Sequence, residues 1–287
     1  MFSILLAVYK KENPVYFSQS LDSIFSQILF PHEVVLVKDG PLTDDLERVI
    51  NKYQSKYYIL KVVSLPVNQG LGKALNEGLK HCSHDLVARM DTDDIVKPDR
   101  FEKQLKIFQE DPEVDVVGSW IDEFEGDISH VVSVKRLPEC HEEILSFAKK
   151  RNPINHPVVM FRKKAVLAAG GYQHFPLFED YYLWVRMLMN GAKFYNIQES
   201  LLYFRSSPDM FKRRGGLKYV GTEVRFQNFL LRSHFISFPR YVQNVIIRVI
   251  TRIMPNRWRA LLYKKKLRLQ TCFYCIQGRG IKTFLLY

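Results

Sequence analysis

Three carboxylates lie within four residues in the segment Asp91-Thr92-Asp93-Asp94. Negative charges this close together repel one another strongly unless a cation or hydrogen-bond donors offset them. Hard cations such as Mg²⁺ and Mn²⁺ bind one or two carboxylates together with the phosphates of a substrate. The segment therefore predicts a metal site beside a phosphate group. The competing interpretation is a solvated acidic loop in which one carboxylate caps a helix that follows.

The second candidate is the segment 68–76, in which Gly70 and Gly72 precede Lys73. Glycines at the start of a helix let the backbone approach a phosphate, and the lysine adds positive charge. The spacing matches neither a P-loop nor a dinucleotide-binding fingerprint. Taken alone, the segment favours a loop with an ordinary helix cap.

Two further groups carry side chains suited to proton transfer. Glu179 and Asp180 precede an amphipathic helix that contains Trp184. The helix dipole explains one acid at this position, and a general base on a rigid helix start is the functional interpretation. His156 lies between prolines in the loop 152–157. A lone histidine is usually structural, but its place before a strand is compatible with substrate contact.

Strand and helix patterns alternate through the first hundred residues. Buried-strand patterns occur at 2–9, 33–37, 57–65 and 86–90, and helical patterns at 15–27, 43–53 and 70–80. Three successive βαβ units indicate a parallel sheet with helices on both faces. Ligands of such sheets bind outside the carboxyl ends of the strands. Because Asp39 and Asp91 both follow strands, we expect them to line one crevice.

The pattern is less regular beyond residue 97. It predicts helices at 98–108, 141–149, 163–169 and 181–189, and strands at 114–118 and 158–161. Towards the end, Arg240, Asn244, Arg248 and Arg252 recur every four residues with aliphatic residues between them. This spacing predicts an amphipathic helix with a basic stripe and an aliphatic face.

The net charge of +12 is distributed unevenly along the 287 residues. From Arg205 to the end there are 18 Lys and Arg against two acids, whereas the first 204 residues hold 24 basic and 28 acidic residues. The first part therefore has a charge near −4 and the tail a charge near +16. This division indicates a folded catalytic body and a tail that meets something anionic.

Composition also bears on the compartment. No stretch approaches the roughly 18 apolar residues that span a bilayer, and the run 2–9 is too short for a signal peptide. We therefore expect a cytoplasmic protein. The four cysteines suggest no disulfide framework. Cys272 and Cys275 have the spacing of a metal pair but lack a second pair, which makes free thiols near a membrane surface the competing interpretation.

In this order, the segments resemble family 2 of the GT-A-fold glycosyltransferases. The matching pieces are the strand 4–9, Val37-Lys38-Asp39-Gly40, the stretch 68–78, Asp91-x-Asp93, and Glu179-Asp180 before the Trp-bearing helix. The residues 38–43 resemble those of bacterial enzymes that build O-antigen or capsule repeat units on a lipid carrier. One departure is Lys38, where the family often has a second acid before Asp39.

The resemblance implies an α/β fold of the GT-A, Rossmann-like type, with a mostly parallel sheet and helices on both faces. It covers residues 1–205, which would divide into a nucleotide-binding half (1–100) and an acceptor-binding half (101–205). Residues 206–287 would form a basic, largely helical extension that can contact a membrane surface.

The resemblance also implies roles for individual residues. Ala7 and Tyr9 would border the uracil, Asp39 would accept its N3–H, Gly70 and Lys73 would lie near the diphosphate, and Asp91 and Thr92 would face the ribose. Asp93 would bind the metal, Mn²⁺ or Mg²⁺, with Asp91 contributing through water. For Asp94, the position before the next predicted helix, and not the resemblance, predicts the role of a helix cap. Asp180 would be the catalytic base. His156, Glu179 and Trp184 would either contact the acceptor or lie behind residues that contact the acceptor.

The implied activity is inverting transfer of a hexose, galactose or glucose, from a UDP-sugar. The acceptor would be a hydroxyl of a lipid-diphosphate-linked sugar of the GlcNAc-diphosphate-polyprenol type. The product would be a β-linkage in O-antigen or surface polysaccharide synthesis. An enzyme with such an acceptor would act as a peripheral protein on the inner face of the cell membrane.

The sequence disfavours three other functions. A sugar nucleotidyltransferase would have a glycine-rich loop after the first strand, and residues 10–14 contain no glycine. The +16 tail suggests nucleic-acid binding, but it carries no recognised binding module, so we expect no nucleic-acid partner. An inactive sugar-binding domain is disfavoured because Asp39, Asp91, Asp93 and Asp180 are all present. The tail helix has two interpretations, packing on the domain with a solvated basic face or lying on an anionic membrane surface.

Overall fold

A computed structural model describes residues 1–206 and 217–253 of the protein. The predictions made for Cys272 and Cys275 fall outside these residues. The strands run in chain order as β1 (Phe2–Val8), β2 (Glu33–Lys38), β3 (Leu60–Ser64), β4 (Leu86–Arg89), β5 (Ile95–Val96), β6 (Val114–Phe124), β7 (Val131–Lys135), β8 (Met160–Arg162) and β9 (Lys193–Arg205). The helices are α1 (Pro14–Phe25), α2 (Asp44–Lys56), α3 (Leu71–His81), α4 (Arg100–Glu110), α5 (His141–Ala148), α6 (Lys163–Ala168), α7 (Glu179–Met189), α8 (Leu217–Arg232) and α9 (Phe238–Ile253).

The first half of the chain forms the predicted parallel sheet. Neighbouring strands follow the order β3-β2-β1-β4, and all three pairings are parallel. The chain therefore moves outward from β1 to β3 and then returns to the other side of β1. This reversal of strand order is the position at which open α/β sheets bind their ligands.

The second half adds antiparallel strands to the same sheet. Strand β8 pairs antiparallel with β4 and β6, and β9 pairs parallel with β6 and antiparallel with β5. The sequence predicted β6 only as far as residue 118 and did not predict β7 or β9. Polar residues Gln198, Glu199 and Ser200 interrupt β9, and its pairing with β6 changes register there, which obscures the two-residue alternation.

Helices cover both faces of the sheet, as predicted. One hydrophobic core contains residues of α1, α2 and α4, including Phe17, Ile50 and Phe101. The core on the opposite face contains residues of α3, α5 and α7, including Leu75 and Trp184. Both cores use residues of β1, because alternate side chains of a strand face opposite sides of the sheet.

Side chains cap the first two helices, α1 and α2. Asn13 Oδ1 accepts from the backbone N–H of Val15 at 2.9 Å, and Pro14 occupies the first helical position of α1. Thr43 Oγ1 accepts from Leu46 N at 3.5 Å and caps α2, as the sequence predicts. These caps determine where each loop leaves the carboxyl end of its strand.

Gly78 allows α3 to approach the sheet closely. A Cβ at this position would lie 2.3 Å from Leu5 Cδ1 and 2.7 Å from Val37 Cγ2, whereas a Cβ at Gly72 would meet nothing closer than 3.5 Å. We expect Gly78→Ala to lower the free energy of unfolding by about 1–2 kcal/mol, because overpacking outweighs the gain in helix propensity. Gly72→Ala, the matched control, should leave it unchanged or raise it by up to about 1 kcal/mol. Urea denaturation measures both, and equal effects of the two substitutions would contradict this account of the packing.

The last two described helices form a hairpin that packs on α7. Phe226 and Leu230 of α8 join Phe178, Tyr181 and Val185 in a separate hydrophobic cluster. No helix within residues 1–206 and 217–253 is both long enough and apolar enough to cross a membrane. The hairpin is thus attached to the helix whose first turn contains Glu179 and Asp180.

Candidate active site

The predicted crevice lies where β1, β2 and β4 end. Asp39 follows β2, and the segment 91–94 follows β4, on the two sides of the central strand β1. Ala7 is half-buried near the end of β1, and Tyr9, just beyond that strand, is 37% exposed. The structure therefore brings the predicted nucleotide residues to one edge of the sheet.

Asp39 fixes the glycine segment to the end of β2. Its Oδ1 accepts from Gln69 N at 2.7 Å, and its Oδ2 accepts from Gly70 N at 3.0 Å. Gly70 has a φ of +89°, a conformation that favours glycine, and it is the N-cap residue of α3. Each carboxylate oxygen has a second lone pair. Asp39 can therefore hold this loop and still accept one hydrogen bond from a ligand. Lys73, in the first turn of α3, is exposed.

Asp91, Asp93 and Asp94 form a carboxylate cluster whose candidate ligand atoms all lie within 4.8 Å of one another. Burial and the charge of Asp91 raise the pKa of Asp93 to about 6. Burial and the charges of Asp93 and Asp91 raise the pKa of Asp94 well above its usual value. Closely spaced carboxylate oxygens whose negative charges repel one another form a site that fits a hard divalent cation.

The structure adds two residues to this cluster that the sequence did not single out. Arg89 is buried in β4 and forms an ion pair with Asp91. Glu12 approaches from the loop after β1, and Thr92 hydrogen bonds to it. Burial and the charges of Asp93 and Asp91 raise the pKa of Glu12 to about 7. The acidic group therefore has four members, and one buried cation balances part of their charge.

Asp94 does not cap a helix, so that prediction was wrong. The residues after it form strand β5, and α4 begins only at Arg100. Asp94 is fully buried, and its Oδ1 accepts from the backbone N–H of Arg205 at 2.9 Å. The Arg205 guanidinium donates through Nε to the Asp93 carbonyl oxygen at 2.9 Å. The end of β9, which the sequence did not predict, thus holds the acidic segment in place.

Asp180 lies in the first turn of α7 and accepts a hydrogen bond from the side chain of Asn152. Asn152 Nδ2 donates to Asp180 Oδ2 at 2.6 Å. Burial raises the pKa of the Asp180 carboxyl above its usual value, and burial also raises that of Glu179. Partial desolvation outweighs the hydrogen bonds that stabilise the ionised carboxylate, so its proton affinity is higher than that of a solvated carboxylate, as a general base requires.

His156 and Trp184 lie behind the crevice. His156 Nε2 is 2.9 Å from Tyr172 Oη, and its ring packs edge-on against Trp184 with a centroid separation of 6.0 Å. Burial, followed by the charge of Arg89, lowers the pKa of His156 well below its usual value, so the imidazole is neutral. Trp184 is fully buried. It therefore cannot contact an acceptor directly and can only lie behind residues that do.

A known protein family matches the sequence over most of this fold. The sequence profile described as Glycosyl transferase family 2 matches residues 3–169, which is more than half of the chain. The chain belongs to this family. The match spans β1 to α6 and thus includes Asp39, the glycine segment and the carboxylate cluster of this family 2 transferase.

Relatives of similar length agree with the family assignment. The chain is 39% identical over 267 residues to an Escherichia coli protein named UDP-Gal:alpha-D-GlcNAc-diphosphoundecaprenol beta-1,3-galactosyltransferase, covering 93% of this chain and 96% of that protein. It is 41% identical over 265 residues to the amylovoran biosynthesis glycosyltransferase AmsE of Erwinia amylovora, covering 92% and 98%. The family 2 transferase therefore has full-length relatives among bacterial polysaccharide glycosyltransferases.

Solved structures confirm the GT-A fold. Staphylococcus aureus TarS 1–349 in complex with UDP-GlcNAc matches with a TM-score of 0.64 at 17% identity, covering 94% of this chain and 76% of that one. The mannosyltransferase PcManGT of Pyrobaculum calidifontis, in complex with GDP-Man and Mn²⁺, matches with a TM-score of 0.57 at 15% identity, covering 90% and 71%. At these identities the likeness is one of fold.

The pKa shifts of the acidic group predict how metal binding depends on pH. Because these carboxyl pKa values are raised, the metal-free native transferase holds protons that the unfolded chain releases at the same pH. The stability of the metal-free protein therefore falls as the pH rises from about 4 to about 7. At low pH, Mn²⁺ must displace these protons before it binds, whereas at high pH they are already gone. For each proton displaced, the apparent affinity for Mn²⁺ therefore falls by about tenfold per unit decrease in pH.

We therefore expect Mn²⁺ to raise the melting temperature more at about pH 8 than at about pH 5.5. Differential scanning fluorimetry with and without MnCl₂ measures this difference. Asp93→Ala should abolish most of the metal-dependent rise. A rise of equal size at both pH values would show that Mn²⁺ does not bind to this group.

Proposed function

We propose that this transferase moves a hexose from a UDP-sugar to a hydroxyl of a GlcNAc-diphosphate-polyprenol during bacterial O-antigen or surface polysaccharide synthesis. Galactose is the proposed sugar, and glucose is the alternative. The observation that carries this proposal is the 39% identity, over 96% of its length, to a protein named as a galactosyltransferase acting on GlcNAc-diphosphoundecaprenol. The half-buried Asp180 and the carboxylate cluster supply chemistry that suits such a transfer.

Asp180 is the proposed base of a single displacement. Its carboxylate takes the proton of the acceptor hydroxyl as that oxygen attacks C1 of the sugar. The bond between C1 and the diphosphate oxygen breaks, and its electron pair leaves with UDP. Attack from the face opposite the leaving group converts the α-linked donor into a β-linked product. One base suffices, because no covalent sugar–protein bond is formed.

The acidic segment is the proposed site of a divalent cation, Mn²⁺ or Mg²⁺. Asp93 would be a direct ligand, and Asp91 would act through a bound water or the ribose. A cation held here supplies positive charge to the departing diphosphate. Lys73 adds a further positive charge from the first turn of α3. Thr92, which is buried, would contribute to the ribose side of the same pocket.

The remaining roles concern the base and the acceptor. Ala7 and Tyr9 would border the uracil, and the free lone pairs of Asp39 would accept its N3–H. The neutral His156, whose Nε2 lies 2.9 Å from Tyr172 Oη, would help to shape the acceptor pocket. Glu179 is half-buried beside Asp180 and would contact the acceptor rather than remove its proton. Residues 1–205 would thus form the catalytic domain, with residues 206–287 as the basic extension.

A lipid-linked acceptor also implies a location. We propose that the transferase is a peripheral protein on the inner face of the cell membrane, where polyprenyl diphosphates are available as substrates. The charge near +16 of the residues from 205 onward supports attraction to an anionic lipid surface.

A donor screen tests the proposed function. Radiolabelled UDP-galactose, UDP-glucose, UDP-GlcNAc and UDP-GalNAc are each incubated with a GlcNAc-diphosphate-lipid analogue and Mn²⁺, and the labelled lipid is quantified. We expect one hexose, galactose, to be transferred at least about tenfold faster than the others, since a single hydroxyl hydrogen bond can discriminate by this amount. Absence of transfer from every UDP-sugar, or release of a new sugar nucleotide, would contradict the proposal.

A further inference from the structure

Helix α9, the last helix among the described residues, has a polar inner face. A surface helix would normally turn its apolar face inward. Asn244 Nδ2 donates to Gln227 Oε1 of α8 at 2.9 Å, and Arg248 forms an ion pair with the buried Glu223. Tyr241 Oη donates to Asn228 Oδ1 at 2.8 Å. Two residues of the predicted basic stripe therefore face the protein, where they bind polar partners instead of solvent.

The aliphatic face of α9 lies outside. Phe238, Val242, Ile246 and Ile250 follow one another at four-residue intervals and form what we call the outer stripe. Their side chains are 65%, 37%, 53% and 56% exposed. A helix that packs on protein normally buries its apolar face. A continuous exposed apolar row on a helix already packed through its polar side therefore marks an interaction surface.

The inner face connects α9 to the proposed base. Asn244 Nδ2 also donates to the Lys149 carbonyl oxygen at 2.9 Å, and Arg248 donates to the Lys150 carbonyl oxygen. Two residues further along the same segment, Asn152 holds Asp180. The helix that presents the outer stripe is thus fixed to the acceptor side of the crevice and not to the nucleotide side.

We infer that the outer stripe inserts into the surface of an anionic phospholipid bilayer, with α9 parallel to the membrane plane. This inference rests on the proposed function for the nature of the acceptor. Helices of this kind bury their apolar face at the boundary between headgroups and acyl chains. The placement brings a diphosphate-linked sugar, which projects from the bilayer, to the side of the crevice that contains Asp180.

Charge favours a bilayer over a second protein as the occupant. The 34 residues that follow Ile253 contain eight Lys and Arg and no Asp or Glu. Arg240, beside the stripe, hydrogen bonds to the neutral Gln243 side chain at 2.6 Å. Peripheral helices bind anionic lipids through hydrophobic and electrostatic attraction together. The outer stripe supplies the apolar surface, and the cationic sequence directly after it supplies the charge. Two copies of this region would instead repel each other.

The test uses the full chain with Ile246→Gln and Ile250→Gln combined. Ile28→Gln is the matched control, because Ile28 is 67% exposed and lies next to α1, outside the C-terminal hairpin. Sedimentation with phosphatidylglycerol–phosphatidylethanolamine vesicles should show at least about a tenfold lower partition coefficient for the double variant than for the wild type. The control should bind as the wild type does.

Two acceptors separate this inference from the proposed function. Transfer to a polyprenyl acceptor in vesicles should fall with the partition coefficient, whereas transfer to a water-soluble GlcNAc-diphosphate with a short alkyl chain should not change. Unchanged vesicle binding by the double variant would overturn the inference. So would a dimeric wild type that becomes monomeric in the double variant, measured by analytical ultracentrifugation, since a second copy would then cover the stripe.

A spectroscopic variant gives an independent result. Tryptophan at position 246, introduced as Ile246→Trp, should shift its fluorescence emission to shorter wavelength when anionic vesicles are added, relative to Ile28→Trp. Equal responses of the two variants would contradict insertion of the stripe. Failure of the wild type to transfer sugar to the soluble acceptor would count against the proposed function, while vesicle binding would still test the stripe.

Discussion

Asp180→Asn is expected to lower kcat by about 10³-fold while leaving the affinity for UDP within about twofold of the wild-type value. The substitution keeps the size of the side chain and a hydrogen-bonding group for Asn152, which lies 2.6 Å from it. It removes the carboxylate that accepts the acceptor proton. Single-turnover transfer assays measure the chemical step, and isothermal titration calorimetry measures UDP binding.

Glu179→Gln is the control for this substitution, because Glu179 is the adjacent acid in the same helical turn. We expect it to change kcat by less than about tenfold, since it does not remove the proposed base. Near-normal activity of Asp180→Asn together with a large loss in Glu179→Gln would move the base to Glu179. A loss of UDP affinity in Asp180→Asn would indicate that Asp180 supports the nucleotide pocket instead.

Asp93→Ala is expected to lower kcat/KM by at least about 10³-fold, because the departing diphosphate loses the cation that neutralises it. The substitution also removes one of the repelling charges that raise the pKa of Glu12 to about 7. The protein should therefore be at least as stable as the wild type when no metal is present. This combination of lower activity with retained or higher stability distinguishes a metal ligand from a structural residue.

Asp45→Ala is the control for Asp93→Ala, since Asp45 lies on the exposed surface of α2, where it pairs with Arg48. It should change neither activity nor the response to Mn²⁺. Activity of Asp93→Ala within about tenfold of the wild type, with the same dependence on Mn²⁺, would exclude Asp93 as a metal ligand.

The edge of the sheet at which Asp39 and the segment 91–94 lie could be predicted from the sequence because its signals are local. Strands β1, β2 and β4 are apolar runs that end at polar residues, and a parallel sheet aligns such ends at one edge. Asp39 and the segment 91–94 therefore fell in the right place. Glu12 did not stand out, because the charged loop after β1 gives no sign that one of its residues turns back toward Asp93. Arg89 did carry a signal, since a charge within a buried strand needs a partner.

The parts that the sequence did not predict depend on contacts between distant segments. Strand β9 is recognisable only through its pairing with β6, some 80 residues earlier, and its end at Arg205 is what fixes Asp94. The amphipathic pattern of α9 was correctly found, but periodicity does not tell which face is inside. That choice is made by Glu223 of α8, a buried acid that binds Arg248.

The most direct test of the central claim is the stereochemistry of the product. Purified transferase, UDP-galactose, Mg²⁺ and the soluble GlcNAc-diphosphate acceptor are combined, and the anomeric proton of the first product is followed by NMR. Single displacement with Asp180 as base predicts a β-galactoside as the initial product, formed only when Mg²⁺ is present. An α-linked initial product, or equal rates with Mg²⁺ and with excess EDTA, would contradict it.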